Sequence, residues 1–318
     1  LKKILDDLKD SQPTKKVCVI KLFPDRYFKS LEYATSIFAE LADHGVTRNT
    51  VLIAIGGGFV GDVGGFIASV YMRGLTFVQV GTTLMSQVDA IVGKVAVNVG
   101  HKKNVVGSFF SPKLTICDQD LIKRDAKEML LASAEVFKHY LFSSPELHVI
   151  KNKVAVLENL LINSRSMEVW AQVIEESLTI KAQAVQQDPY DSNGIHKKLS
   201  FGHTFANILE SELHMRHGEA VWVGMYLATK LTLRLENIKK DASYCEYILQ
   251  TINQFYPVNS YKTATLHKIH IESALLSDKI TTNNKPTFIV CPLPGEYSVI
   301  NSDIDTVLAV FNELFTLI

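Results

Sequence analysis

Three histidines, His203, His214 and His217, fall within residues 201–221, "FGHTFANILESELHMRHGEAV", in a chain that has ten. Histidine nitrogens bind divalent metals at neutral pH. A catalytic zinc commonly takes three protein ligands and keeps one position open. On a helix, His203, Asn207 and Glu210 share a face through their i, i+4, i+7 spacing. The segment "AEVFK" supplies a third kind of ligand, Glu135, with Lys138 one turn on. A carboxylate buried among "LLASAEVF" is costly unless it is paired or bound to a cation. Glu135, His203 and His217 therefore form a candidate His₂Glu set. Each histidine alone reads equally as an ordinary hydrogen-bonded residue. His214, in "ELHMRHG", reads as an exposed loop residue and competes with His217 for the ligand role.

A second constellation lies upstream. "VLIAIGGGFVGDVGGF" puts Gly56, Gly57 and Gly58 after an apolar run and before a helical pattern. Without Cβ atoms such a turn lets backbone N–H groups approach a pyrophosphate, and the helix N-terminus adds a favourable dipole. The spacing is GGGxxGD rather than GxGxxG, so a tight strand–helix turn is the plain alternative. Asp62 suits a ribose or nicotinamide contact, or a helix cap.

The elements that must position these groups follow from periodicity. "LKKILDDLK" has a helical period, "KVCVIKLF" the composition of a strand, and "SLEYATSIFAELADHG" an amphipathic helical pattern that Gly45 can end. "TVLIAIGGG" is a buried strand, "GDVGGFIASVYMRG" a helix with glycines for close packing, and "LTFVQVGTTL" another strand. This β-α-β-α-β order predicts a parallel α/β sheet. After about Asp118 the pattern turns helical, through "DAKEMLLASAEVFKHYLF", "MEVWAQVIEESLTIKAQAV", "SFGHTFANILESEL" and "GEAVWVGMYLATKLTLRLE". Only "PTFIVCPLPGEYSVI" reads as a hairpin. The expected architecture is a dinucleotide-binding α/β domain over 1–118, then a mostly α-helical metal and substrate domain over 119–318, with the site between them.

The bulk composition of the 318 residues fits a globular protein, 47% apolar and 21% charged. Lys plus Arg and Asp plus Glu both total 33, so no global field points to nucleic acid or an acidic membrane. Cys18, Cys117, Cys245 and Cys291 are widely spaced, which argues against a disulfide framework and for a cytoplasmic protein. The opening "LKKILDDLKDS" carries charge among its leucines, unlike a secretory segment. No apolar run is long and uncharged enough to span a bilayer.

The motifs "IGGGFVGD", "YMRG", "TTLMSQVDA", "GKVAVN", "KKNVVGSF", "AEVFK", "FGHTF" and "HGEAVWVGM" occur in that order. With this ordered set the chain resembles the 3-dehydroquinate synthase family and, more broadly, the sugar phosphate cyclases. The resemblance implies NAD at the glycine turn and zinc in the cleft; cobalt can use the same N/O ligands. It places metal ligands at Glu135, His203 and His217, and nicotinamide-nucleotide contacts at Gly57, Gly58, Asp62, Thr82 and Thr83. Catalytic and substrate contacts fall on Asp89, Lys94, Lys103, Asn104, Lys138 and Lys181, with Lys94 and Lys103 also counted beside the cofactor. Arg73 corresponds to an arginine that reaches a neighbouring subunit's site, which implies a homodimer. Lys279, in "SDKIT", falls in the family's late "DKK" region.

The implied reaction explains these residue types. A seven-carbon keto-acid phosphate, 3-deoxy-arabino-heptulosonate 7-phosphate, is oxidised at one carbinol by NAD, and a metal beside the hydroxyls lowers the cost of developing negative charge. The new ketone acidifies the neighbouring proton, phosphate leaves by β-elimination, and NADH returns its hydride. The ring opens and an intramolecular aldol step closes the carbocycle. Lysines suit the phosphate and carboxylate as compact positive charges, although each reads equally as a solvated surface charge outside the motif order.

Several positions depart from the family pattern. "GHTFGHAIE" becomes "GHTFANILE", so Asn207 replaces a histidine that helps hold phosphate. Ser200 stands where Asn is usual, and His196 where an arginine is expected, with Lys197 or Lys198 nearby. The family's opening strands, with an acidic NAD contact, have no counterpart before "LKKILDDL", which predicts a truncated chain or an incomplete nucleotide pocket. One neutral-for-cationic change beside a phosphate costs a charge-assisted hydrogen bond, about 1.5–3 kcal/mol. Three readings follow: a divergent 3-dehydroquinate synthase of the shikimate pathway, another sugar phosphate cyclase with a different sugar phosphate, or a non-catalytic descendant of the fold. A polyol dehydrogenase using NAD and a metal is the reading outside the family.

Overall fold

The computed structural model describes residues 6, 10, 16–23, 27–89, 93–100, 102–123, 125–163, 167–277 and 285–318. The chain divides into two compact units, one of Leu1–Val80 with Lys94–Thr115 and one of Gly81–Gly93 with Ile116–Ile318.

The first unit is built on strands β1 (Val51–Gly56), β2 (Thr76–Gly81) and β5 (Leu114–Ile116), which form a parallel sheet in the order β1-β2-β5. Helix α1 (Leu31–Asp43) starts where the Ser30 hydroxyl accepts from the Tyr33 N–H. It buries Ala34, Ile37 and Leu41, a helical stripe, and Gly45 follows it at a φ of +69°. Helix α2 (Gly58–Val70) follows the glycine turn and lies against β1 and the first strand of a hairpin, Val63, Phe66 and Ile67 facing inward. That antiparallel hairpin joins β3 (Lys94–Val99) and β4 (Lys102–Phe109), with a register shift between Val97 and Val99.

The run "KVCVIKLF" differs from expectation. Residues 16–23 carry no strand, although Ile20 and Leu22 pack against the first unit's core. A strand is defined by its ladder, and this segment pairs with none among the described residues. The expected helix "LKKILDDLK" lies almost wholly outside the described residues.

The second unit is helical. In chain order it holds α3 (Leu84–Val88), α4 (Ala126–Leu141), α5 (Leu147–Asn163), α6 (Met167–Gln187), α7 (His203–Glu212), α8 (His217–Arg234), α9 (Ala242–Phe255), α10 (Lys268–Ser277) and α11 (Ile304–Phe311). Strands β6 (Thr265–Leu266) and β9 (Thr316–Leu317) form a short parallel pair, and β7 (Thr287–Val290) and β8 (Ser298–Asn301) form the expected antiparallel hairpin. One continuous apolar core joins these helices, with Phe137 and Phe255 packed around Trp222, and Phe288 and Phe311 around Phe205. All four cysteines are free thiols. No helix among the described residues is long and apolar enough to cross a membrane.

Helix α4 is the element on which the site turns. From Leu131 to Leu141 every residue is buried. A helix buried all round is normally apolar, yet this one carries Glu135, Lys138 and His139 in its interior. Those three charges or dipoles need partners inside the unit.

Candidate metal centre and active site

Two helices of the second unit converge on Glu135 of α4. Gly202, at a φ of +79°, turns the chain into α7 so that His203 is its first residue. Gly218, the second residue of α8, lies on α4 so closely that a Cβ would stand 2.2 Å from the Leu131 carbonyl oxygen. That approach sets His217, the first residue of α8, over Glu135. Both helix N-termini thus bring an imidazole to the same carboxylate.

The geometry fits a small cation. His203 Nε2 and His217 Nε2 each lie 3.4 Å from the same oxygen, Glu135 Oε1. Donors about 2.0–2.1 Å from a tetrahedral zinc stand about 3.3–3.4 Å from one another. One donor atom from each of the three side chains lies within 4.8 Å of the others. The outer nitrogens are committed elsewhere. His203 Nδ1 is 3.2 Å from the Phe201 carbonyl oxygen, and His217 Nδ1 is 2.7 Å from Glu210 Oε1. Each Nδ1–H can donate outward, leaving each Nε2 lone pair to face inward, as metal-ligating histidines are ordinarily held.

The electrostatics point the same way. Glu135 is fully buried. Burial opposes its charge, but Lys138 and then the two histidines hold the carboxyl well below the usual carboxylate range. Lys138 forms the ion pair with Glu135 Oε2. Burial also opposes a charge on His217, yet its contacts with Glu135 and Glu210 raise its pKa to about 10. In the metal-free protein a proton on His217 therefore takes the place of a cation. A buried carboxylate oxygen facing two imidazole nitrogens is the donor set that zinc or cobalt(II) takes.

Beside this triad lies Asp89, at the end of α3. Lys181 of α6 meets it through Oδ1 at 2.6 Å and through its backbone carbonyl. Burial works against the Asp89 charge, but Lys181 outweighs it, and the pKa falls to about 2. His139 faces the same oxygen from α4 at 3.9 Å. Burial and then Lys138 push the His139 pKa down to about 3, so the ring is neutral.

Thus Asp89, Glu135, Lys138, Lys181, His203 and His217 share one site within the second unit. His214 sits in the loop between α7 and α8, exposed and at a φ of +52°, and takes no part. Asn207 is exposed on α7, whereas His196 is buried in the short 3₁₀ turn before it. His139 and Ser177 carry no motif signal. The only hint of His139 in the sequence is its i+4 spacing from Glu135.

The remaining candidates fall on the first unit or on the segment after β2. Gly57 caps α2 at a φ of −74°, and Gly58 opens that helix. The turn does not use glycine's left-handed freedom at Gly57, and no side chain caps the helix N-terminus there. Asp62 lies inside α2 and pairs with Lys29 at 2.6 Å, so it is not the helix cap. Thr83 caps α3 and forms a reciprocal box with Ser86, with Thr82 just before it. Lys94 opens β3 with its ammonium over the Phe109 ring. Lys103 and Asn104 lie in β4 at the register shift, where Asn104 takes a φ of +52° and donates its N–H to Asn98 Oδ1. A bulge re-aims side chains in this way. Arg73 is exposed at the end of a 3₁₀ turn, Tyr71–Arg73, in which Met72 and Arg73 both hold positive φ, 49° and 64°. Lys279 lies outside the described residues.

Comparisons with known proteins give the family. Residues 19–132 match the model of the 3-dehydroquinate synthase N-terminal family, and residues 132–280 match that of the 3-dehydroquinate synthase C-terminal family. The 3-dehydroquinate synthase of Dehalococcoides mccartyi strain CBDB1 is 36% identical over 272 residues, covering 84% of this chain and 73% of the relative. That of Campylobacter jejuni subsp. doylei is 32% identical over 312 residues, covering 96% and 85%. Among solved structures, a 2-deoxy-scyllo-inosose synthase complexed with carbaglucose-6-phosphate, NAD+ and Co2+ superposes with a TM-score of 0.80 at 21% identity, covering 98% of this chain and 87% of that one. A buried Glu–His–His donor set on a helical unit, a glycine turn opening a helix on an α/β unit, and matches that together span residues 19–280 lead to one assignment: the chain belongs to the 3-dehydroquinate synthase family.

Proposed function

We propose that this chain converts 3-deoxy-arabino-heptulosonate 7-phosphate to 3-dehydroquinate with loss of phosphate, using NAD and a divalent ion, zinc or cobalt, in aromatic amino acid biosynthesis. The observation that carries the reading is the spacing of His203 Nε2 and His217 Nε2 around Glu135 Oε1, next to two lysines and an ionised aspartate. Glu135, His203 and His217 hold the metal, which when bound supplies a Lewis acid for the substrate's hydroxyls. The backbone of Gly57 and Gly58 at the N-terminus of α2 holds the NAD pyrophosphate, with Asp62, Thr82 and Thr83 as further nucleotide contacts; NAD supplies the reversible oxidation of one carbinol.

The chain's own residues bind and orient. Asp89, with its pKa near 2, is a carboxylate at neutral pH and accepts from substrate hydroxyls rather than giving a proton. Lys138 and Lys181, paired with Glu135 and Asp89 in the free protein, add positive charge beside the metal for the substrate's anionic groups. Lys94, Lys103 and Asn104, on the hairpin of the first unit, serve the phosphate and carboxylate. Arg73 serves the site of a second copy, in a homodimer, and the two successive positive φ angles at Met72 and Arg73 suit a turn held for such a contact. The four free thiols suit a cytoplasmic location.

The test is turnover by purified protein supplied with zinc and NAD. Phosphate and 3-dehydroquinate should appear in equal amounts, with no NADH left at the end. No product at millimolar substrate contradicts the reading. The buried His196 and the neutral Asn207 make a panel of other sugar phosphates the natural control. Preference for one of them over the seven-carbon substrate transfers the assignment to another cyclase.

A further inference from the structure

His139 is used by none of the roles above, yet it is among the most deeply buried polar side chains of the site. Glu135, Lys138 and His139 project from one face of α4, and all three are at most 1% exposed. His139 Nδ1 lies 2.7 Å from the Ser177 hydroxyl on α6. Among the described residues Nε2 has no hydrogen-bond partner; it is buried and lies 3.9 Å from Asp89 Oδ1. A buried unpaired nitrogen is costly, so its direction needs a reason.

The two tautomers differ in what they do there. With the proton on Nδ1, the ring donates to Ser177 and turns the Nε2 lone pair toward Asp89 and Glu135, which are both ionised. Lone pair against carboxylate is repulsive. With the proton on Nε2, the Ser177 hydroxyl donates to Nδ1 and the ring presents a donor to Asp89. This arrangement pairs Nδ1 with the Ser177 hydroxyl and aims an N–H rather than a lone pair at the nearer carboxylate. At 3.9 Å the bond to Asp89 is not yet made, but the Asp89 side chain is partly exposed, at 26%, and can rotate toward the ring.

We propose that His139 is a positioning residue: a neutral Nε2–H donor, locked by the Ser177 hydroxyl behind it, that orients the Asp89 carboxylate against the pull of Lys181. Lys181 meets Asp89 through both Oδ1 and the backbone carbonyl. Alone it would draw the carboxylate toward α6, and His139 stands 3.9 Å away on α4 as the opposing donor once Asp89 turns toward it. The proposal rests on the reading of this site as a cyclase centre. It competes with one other use of the same atoms, since Asp89, Glu135 and His139 also offer ligand atoms within 4.8 Å of one another. Two ammonium groups already serve those carboxylates, which leaves a second divalent ion unneeded.

Long-range ¹H–¹⁵N correlation on zinc-loaded, ¹⁵N-histidine-labelled protein reads the tautomer directly. We expect the Nε2–H form of His139, and the Nδ1–H form overturns the proposal. In kinetics, His139→Phe should lower kcat/KM about 10- to 100-fold, the worth of a hydrogen bond to a charged group. His139→Gln, which keeps an N–H donor, should recover part of that loss. In an Asp89→Asn background the His139→Phe change should cost far less. Equal losses in the Phe and Gln variants, or a fall from two zinc ions per chain to one, overturn the proposal. If the wild-type chain makes no 3-dehydroquinate, the cyclase reading fails while the tautomer still decides the role of His139. If the Phe variant does not fold, the wild-type spectrum decides alone.

Discussion

Glu135 holds the second unit's charge balance at one atom. Its carboxylate faces Lys138 on one side and two imidazoles on the other, in the buried Leu131–Leu141 stretch of α4. Glu135→Gln should abolish stoichiometric zinc binding and leave Lys138 buried without a counter-charge. Breaking such a pair costs about 3–5 kcal/mol, read as a drop in denaturant midpoint alongside metal analysis. His217 makes metal uptake pH-dependent. Its raised pKa means that its contacts with Glu135 and Glu210 are fully present below about pH 6.5 and fade as pH rises through about 10. Zinc must displace that proton. Zinc binding at neutral pH should therefore release about one proton from this residue, and apparent affinity should rise with pH up to about 10. Calorimetry in buffers of different ionisation enthalpy measures the release, and zero protons released would contradict it. Glu210→Ala should weaken zinc binding about 10- to 100-fold, as removing a carboxylate behind a ligand histidine does.

At the scale of elements, the site depends on backbone contacts that tolerate no side chain. Gly218→Ala places a Cβ against the Leu131 carbonyl oxygen. The α4–α8 pair must then separate, at a cost of about 1–3 kcal/mol, and His217 moves with it. Loss of zinc affinity together with lower thermal stability is expected, and unchanged zinc affinity would show that α8 tolerates the shift. The helices α4, α6, α7 and α8 are legible in the sequence because their apolar period is strong over many residues. So are the residues of the donor set, since a glutamate among "LLASAEVF" demands a partner and two histidines open or precede apolar helices. The β3–β4 hairpin is not legible as a hairpin. Its alternation breaks at the register shift beside Asn98 and Asn104, and that interruption hides the period of two. His139 is illegible for a different reason. A basic pair near a helix C-terminus reads as a solvated end, and only the packing of α3, α4 and α6 shows that it is buried. The "KVCVIKLF" run has the composition of a strand but no pairing partner among the described residues, and it carries no strand.

For the whole molecule, the account makes a stoichiometric claim. A cyclase returns NAD to its starting state in each turnover, whereas a polyol dehydrogenase accumulates NADH. Single-turnover absorbance should therefore show no net NADH at the end of the reaction. The proposed homodimer adds a complementation test. Arg73→Ala and Glu135→Gln chains, each inactive alone, should regain activity when mixed as heterodimers, because one subunit can then carry both an intact metal set and its neighbour's arginine. No recovery despite confirmed heterodimers would place Arg73 in its own chain's site. The most direct test of the central claim is anomalous diffraction at the zinc edge from crystals of the zinc-loaded protein. The account predicts one full-occupancy peak per chain, about 2.0–2.2 Å from Glu135 Oε1, His203 Nε2 and His217 Nε2. A zinc peak elsewhere, or none at these three side chains in protein that binds zinc stoichiometrically, would contradict it.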